Sequence, residues 1–291
     1  MSERPLQVAA LTLGPHAARA VQSGEAQGKI EAVFASVFYV RFGRALIAVA
    51  AKTIAPGPLT ITTGATINWQ KLGLTTGKTV LLSRGLLIIP GQATIDIDAA
   101  DLWQPVNQLP ENHDVQRAMA RLDATDLNPP TDGYGHTVKA SSPKPPEMEQ
   151  ASVWTRAVLS HLPADARALY LLFGRGQGLT PAGDDVLGGM MIALHHLGHG
   201  SVANALWKTL ESQAQSRTNA ISCALLKAAS DGLGSAPLHH ALNALTDPKA
   251  KNLSKTLATL DEIGHSSGWD AFAGIVLVMR AKAAVSTQIA A

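Results

Sequence analysis

Residues Gly174–Ala193 read GRGQGLTPAGDDVLGGMMIA. Glycines, a Thr-Pro pair and two adjacent acids lead into an apolar run with helical spacing. Thr180 followed by Pro181 marks a helix start, because the hydroxyl can cap free backbone N–H groups and proline suits the first helical position. Asp184 and Asp185 then fall in or near the first turn, at the positive end of the helix dipole. Gly176 and Gly178 let the backbone come close to a ligand, as in loops that cradle anions. No Gly-Lys-Ser/Thr follows, so this is not a Walker A loop.

A second copy of the pattern stands near the C-terminus, in GHSSGWDAFAGIVLVM (Gly264–Met279). Ser266 or Ser267 can cap, and Asp270 falls in the first turn. Aligning Gly183 with Gly268 gives a shared Gly-x-Asp-x-x-x-Gly, in which Asp185 matches Asp270 and Gly189 matches Gly274. Gly188, Gly189 and Gly274 sit inside apolar helices, where each costs roughly 1 kcal/mol against alanine. Such a cost predicts close helix–helix approach or space kept for a ligand. The expectation is that the two helix starts face one another and point Asp185 and Asp270 at a common pocket. His265, just before the second start, is the candidate for acid–base work or substrate contact.

Outward from these stretches, residues from Ala151 onward form a succession of helix-period segments with short breaks. Before Asp101 the chain alternates or runs apolar with β-branched residues, as in KIEAVFASVFYVRF, RALIAVAA, PLTITTGATINW, TVLLSRGLLIIP and ATIDIDA. The expected fold class is α+β: a β-rich N-terminal domain over 1–127, a Pro-rich linker or mobile loop over 128–149, and an all-helical domain over 150–291 carrying the site. A helical pattern also runs from Asn112 to Leu122. His136, inside the Pro-rich stretch, is read as solvated.

At 291 residues and 46% hydrophobic, the chain can bury a substantial core. The formal charge of +2, with no basic stripe, gives nucleic-acid binding no support. No apolar run reaches the length needed to span a bilayer. A single cysteine, Cys223, excludes an internal disulfide and is read as a small buried hydrophobe. The opening MSERPLQVAALTLG is unlike a secretory signal, so the expected compartment is the cytoplasm.

Paired aspartates at a helix start can bind a hard cation, act as general base, or hold a substrate amide through its N–H groups. No cofactor is required by the sequence; Mg²⁺ is the ion that Asp184, Asp185 and Asp270 would hold if a metal is bound. Arg175, the only base in the loop, is the candidate for carboxylate or phosphate recognition. Thr218 and Ser222, four apart on a helical pattern beside Arg217, add hydroxyls. The doublets His195-His196 and His239-His240 split across helix faces and are read as interface or surface residues rather than metal ligands.

GQGLTPAGDDVLGGMMIA and GHSSGWDAFAGIVL, with RTNAISCALLKAASDG between them, resemble the paired signatures of the AllH-type bacterial family over about Phe173 to Met279. The resemblance implies a cytoplasmic subunit of a heteromeric enzyme of anaerobic allantoin utilisation. That enzyme moves a carbamoyl group between oxalurate and phosphate, giving oxamate and carbamoyl phosphate. The expected ligand is therefore a small anionic amide, and the expected partners are other subunits. On this reading Arg175, Gly176, Gly178, Thr180, Asp184, Thr218, Ser222, Ser266 and Ser267 bind substrate. Asp185, His265 and Asp270 are the catalytic candidates. The rival readings are a Mg²⁺-dependent hydrolase of amide or N-glycosidic bonds and a non-catalytic assembly subunit.

Overall fold

The computed structural model describes residues 5–24, 26–106 and 114–290, with side chains up to residue 287. The chain divides into two compact units, Met1–Pro105 and Val106–Ala291, one built from strands and one from helices, so the fold is α+β.

The first unit contains β1 (Leu6–Leu13), helix α1 (Pro15–Gln22), β2 (Gln27–Val33), β3 (Val37–Phe42), β4 (Ala45–Ala50), β5 (Thr60–Thr63), β6 (Thr79–Ser83), β7 (Leu86–Ile89), β8 (Ala93–Asp96) and β9 (Asp101–Leu102). The strand order is β5-β4-β3-β2-β6-β7-β8-β1-β9, and β1 also pairs with β5. The first half of β1 runs parallel to β8 and its second half antiparallel to β5. That double pairing closes eight strands into a barrel and removes the free edges of an open sheet. Period-two burial fills the interior: Phe38, Val40 and Phe42 point inward from β3, Leu87 and Ile89 from β7. Phe38 meets Trp69 edge-on, with ring centroids 4.8 Å apart.

The second unit contains α2 (Val115–Asp123), α3 (Pro146–Leu159), α4 (Ala182–His196), α5 (Gly200–Glu211), α6 (Ala214–Arg217), α7 (Ala220–Ser230), α8 (Ala236–Thr246), α9 (Leu253–Ala258) and α10 (Ser267–Ala290). α4 packs on α5, α7 and α10. Its residues are buried around most of the helix, as expected of an apolar helix inside a bundle. α4 and α10 approach through reciprocal glycine notches. A Cβ on Gly189 would stand 1.8 Å from the Ala271 carbonyl oxygen, and one on Gly274 would stand 2.0 Å from that of Val186. Gly188 differs: its Cβ would meet the Ala229 methyl at 3.7 Å and the Leu226 side chain at 4.0 Å, both ordinary contacts. Of the three helix-interior glycines, two serve close approach and Gly188 does not.

Three expectations are corrected here. α2 lies in the helical unit, and residues 107–113, which include the start of the pattern read from Asn112, lie outside the described residues. The Pro-rich segment is not a linker. It folds a 3-10 turn at Gly135–Val138 and buries Tyr134, Val138 and Met148 in the helical core. Its apolar side chains outweigh the breaking tendency of its prolines. The histidine doublets, expected at an interface or the surface, each send one residue inside, while His195 is half-buried and His240 exposed. His196 and His239 are buried, His239 Nε2 accepts from the Gly234 N–H at 2.9 Å, and burial pushes its ring down to about 4. His195 packs against Gly200 and Gly232, with Nε2 2.6 Å from the Ser230 carbonyl. Cys223 is half-buried against the core. Among the described residues no helix is long and apolar enough to cross a membrane.

The notches predict opposite outcomes for adjacent substitutions. Gly189→Ala should destabilise the protein by about 3 kcal/mol, since backbone must move to admit the methyl. Gly188→Ala should stabilise it by up to about 1 kcal/mol through better helix propensity. Chemical denaturation of the two variants checks this; equal effects would remove the close-approach argument.

Candidate functional site

The two aligned stretches adopt matching local structures. Each follows a 3-10 turn, at Ala166–Leu171 and at Thr259–Glu262. Each then seats a glycine on a carbonyl oxygen: a Cβ on Gly183 would lie 2.0 Å from that of Leu172, and one on Gly268 2.2 Å from that of Leu260. The aspartate follows two residues later and the notch glycine four residues after that. The alignment read from the sequence is therefore a structural repeat, and the α4–α10 crossing relates its halves reciprocally.

Asp184 is 2% exposed and saturated with donors. Its Oδ1 accepts from the Gly174 N–H at 2.6 Å, and its Oδ2 accepts from the Thr218 and Ser222 hydroxyls at 2.5 and 2.6 Å. Thr218 is not helical, contrary to expectation. It stands extended between α6 and α7, and Asn219 caps α7 by accepting from the Ile221 and Ser222 N–H groups. The same Asn219 donates to the Leu179 carbonyl at 2.8 Å, tying down the glycine loop. Asn219 is not among the site residues expected from the sequence, although an Asn before an apolar helical run is a cap signal. Burial raises the Asp184 carboxyl above its ordinary value, against the pull of these three donors.

Asp270 is fully buried and held in a nest of backbone. Its Oδ1 accepts from the Tyr134 N–H at 2.5 Å and the Gly135 N–H at 3.1 Å; its Oδ2 accepts from the Ser266 hydroxyl at 2.9 Å. Gly133, at φ +75°, lies against the same carboxylate, where a Cβ would come within 2.4 Å of Oδ1. Burial raises Asp270 too, opposed by those N–H groups, Ser266 and His136.

Asp185 is the exception. Its Oδ2 is buried and has no hydrogen-bond partner among the described residues. Burial drives its carboxyl well above the ordinary range, opposed by the Ser267 and Thr180 hydroxyls and reinforced by the charges of Asp270 and Asp184. The helix dipole, about 2 kcal/mol at best, is outweighed by the several kcal/mol of desolvating a carboxylate. Thr180 does not cap α4: Pro181 takes the cap position, and the Thr180 hydroxyl bonds to that of Ser267 at 2.8 Å, linking the two helix starts.

Arg175 lies at the edge of this group. Its Nε pairs with Glu147 at 2.8 Å, and its side chain is 60% exposed, leaving the guanidinium open to solvent. The Tyr134 hydroxyl donates to the same Glu147 oxygen at 2.8 Å. Burial alone would raise Glu147, but its own backbone N–H, Tyr134 and Arg175 together bring it below the usual value. Gly176 (φ +117°) sits against the Ala182 nitrogen, whereas Gly178 (φ +97°) has open space around it. His265 is not brought into the cluster. It is 85% exposed and faces the equally open Asp132 at 3.4 Å. His136, read as solvated, instead has its Nδ1 buried without a partner.

The donors around Asp184 and Asp270 are N–H and O–H groups, which suit an anion's lone pairs and do not fit a Mg²⁺ shell. Among the described residues no three His, Cys, Asp or Glu side chains group to hold a metal. Two concavities, about 810 Å³ beside α1 and β6 and about 390 Å³ between α3 and α5, include neither Asp185 nor Asp270.

Residues 172–279 match the family described as "Oxamate carbamoyltransferase subunit AllH", and residues 9–102 match the "AllH family N-terminal domain". The chain belongs to the AllH family. The first match spans both halves of the repeat, from the Leu172 carbonyl seat to the end of the α10 notch, and the second spans the barrel. No solved structure matches the chain. The AllH family name makes the chain a carbamoyltransferase subunit and implies other subunits beside it.

The Asp185 environment sets a pH-dependent stability. Its folded value is raised, so the folded state keeps a proton that the unfolded chain releases above about pH 3.9. Asp185 therefore costs stability as pH rises from there towards its folded value, and the cost then levels off. Asp185→Asn should melt higher than wild type at pH 7.5, with the difference shrinking towards pH 4. Melting curves across that range check the sign; a lower melting temperature at pH 7.5 would refute it.

Proposed function

We propose that this chain supplies part of the substrate site of an oxamate/oxalurate carbamoyltransferase, at the face where the α4 and α10 starts cross. The observation that carries the reading is the buried Asp185 Oδ2, which lacks a partner while neighbouring Asp184 and Asp270 are fully bonded. A buried acceptor left open costs about 1–3 kcal/mol, and a ligand amide N–H would satisfy it. Carbamoyl phosphate, oxamate and oxalurate are all small, anionic and amide-bearing. Arg175, already oriented by Glu147, suits their phosphate or carboxylate oxygens. Thr180, Ser266 and Ser267 line the same crossing, while Asp184, Thr218 and Ser222 brace the loop that carries Arg175.

In the transfer, the oxamate nitrogen attacks the carbamoyl carbon, the nitrogen–carbon bond forms and the carbon–oxygen bond to phosphate breaks. Phosphate leaves with the electron pair, and the attacking nitrogen gives up a proton. Phosphorolysis of oxalurate is the reverse. On this proposal Asp185 orients the amide nitrogen and Asp270, fixed by the backbone nest, shapes the local field. The missing enclosure is supplied by a partner subunit, in the cytoplasm, within ureide nitrogen catabolism.

Melting the full chain with carbamoyl phosphate, phosphate, oxamate or oxalurate tests the site. A bound ligand raises stability by RT ln(1 + [L]/Kd), about 2.7 kcal/mol at a hundredfold excess over Kd. The rise should vanish in Asp185→Asn and weaken in Arg175→Ala. Absence of any rise, together with full turnover by a reconstituted complex carrying Asp185→Asn, would leave the chain an assembly subunit.

A further inference from the structure

We propose that His136 is the proton-transfer residue of this site, in the place the sequence suggested for His265; the inference rests on the carbamoyl-transfer reading above. His136 follows directly on Tyr134 and Gly135, whose N–H groups clasp the Asp270 carboxylate. The 3-10 turn that carries it is anchored on α10, with Gly135 set against Trp269 at a spacing a side chain would close to 2.9 Å. The histidine is therefore placed by the same backbone that places Asp270, and it lies within electrostatic range of that carboxyl.

Two side-chain atoms around Asp270 are buried and without partners, His136 Nδ1 and Asp185 Oδ2. Asp185 is in electrostatic reach of Asp270 from the α4 side, and His136 from the side of the 3-10 turn. An orphaned imidazole nitrogen and an orphaned carboxyl oxygen, each in the field of Asp270, suit an amide that must be held by one N–H and relieved of another. Other charged groups do not offer this. Glu147 is engaged by Tyr134 and Arg175, Asp184 by three donors, and His265 by Asp132 in solvent.

In the step itself, Nδ1 takes the proton released as the oxamate nitrogen bonds to the carbamoyl carbon. The carbon–oxygen bond to phosphate breaks with its electron pair on phosphate. In phosphorolysis the same nitrogen returns the proton to the departing oxamate nitrogen. A positioned acid–base group contributes about 10²–10⁴-fold. The residue touches substrate on this account and is catalytic.

The test uses the complex assembled with its partner subunits. His136→Asn keeps a polar atom near Nδ1 but cannot carry the proton. It should lower kcat about 100-fold or more, with KM for carbamoyl phosphate within about twofold of wild type. His136→Ala should regain activity with added imidazole. An active wild-type complex whose His136→Asn form turns over at full rate would overturn the assignment and leave the carbamoyl-transfer reading standing. A wild-type complex that moves no carbamoyl group would sink that reading, and this inference with it. Should either variant fail to fold, ring ¹⁵N spectra of the wild-type chain decide the matter. A shift of the His136 Nδ1 resonance on adding oxamate or carbamoyl phosphate supports contact, and an unmoved resonance at saturating ligand refutes it.

Discussion

The helical unit depends on two glycines that let α4 and α10 touch backbone to backbone. Gly189 faces the Ala271 carbonyl and Gly274 faces that of Val186, each one residue after an aspartate of the repeat. No side chain larger than hydrogen fits either notch, so helix propensity is given up at both positions to gain proximity. The consequence is electrostatic. Two carboxylates that helix geometry would keep apart come within each other's field at the shared start of both helices.

How the surrounding backbone treats those carboxylates separates structural acids from a functional one. Gly174 offers its N–H to Asp184, and Tyr134 and Gly135 offer theirs to Asp270. Donors that the glycine-rich sequence made available for a foreign anion are thus partly used by the protein's own side chains. Asp184 and Asp270 thereby bind three loops to two helices. Asp185, in the same turn as Asp184, receives hydroxyls on one side only and keeps a buried oxygen open. Burial rather than the helix dipole governs all three, since each is raised where a dipole alone would lower it.

The N-terminal unit shows the same logic with hydrogen bonds in place of charges. β1 is short of internal signals: its sequence, LQVAALTL, holds one β-branched valine and one threonine and alternates weakly. Yet it alone pairs with both β8 and β5, so barrel closure rests on a strand whose identity comes from its neighbours. The stretches with strong β-branched patterning, such as Val37–Phe42 and Ala45–Ala50, formed strands as read.

By itself the sequence determined the α+β division, the succession of helices after Ala151, and the repeat that matches Asp185 with Asp270 and Gly189 with Gly274. These follow from local periodicity, caps and costly glycines, which act within a few residues of where they are written. Only the tertiary structure decided that Gly188 has no packing role, that Thr180 bonds Ser267 instead of capping, that His265 faces solvent, and that the Pro-rich stretch brings His136 to Asp270. Each of those depends on which segment, far along the chain, presents a carbonyl, a hydroxyl or an N–H at that point. Hydrogen bonding and desolvation act through space, and residue order carries no record of the distance until the chain has folded.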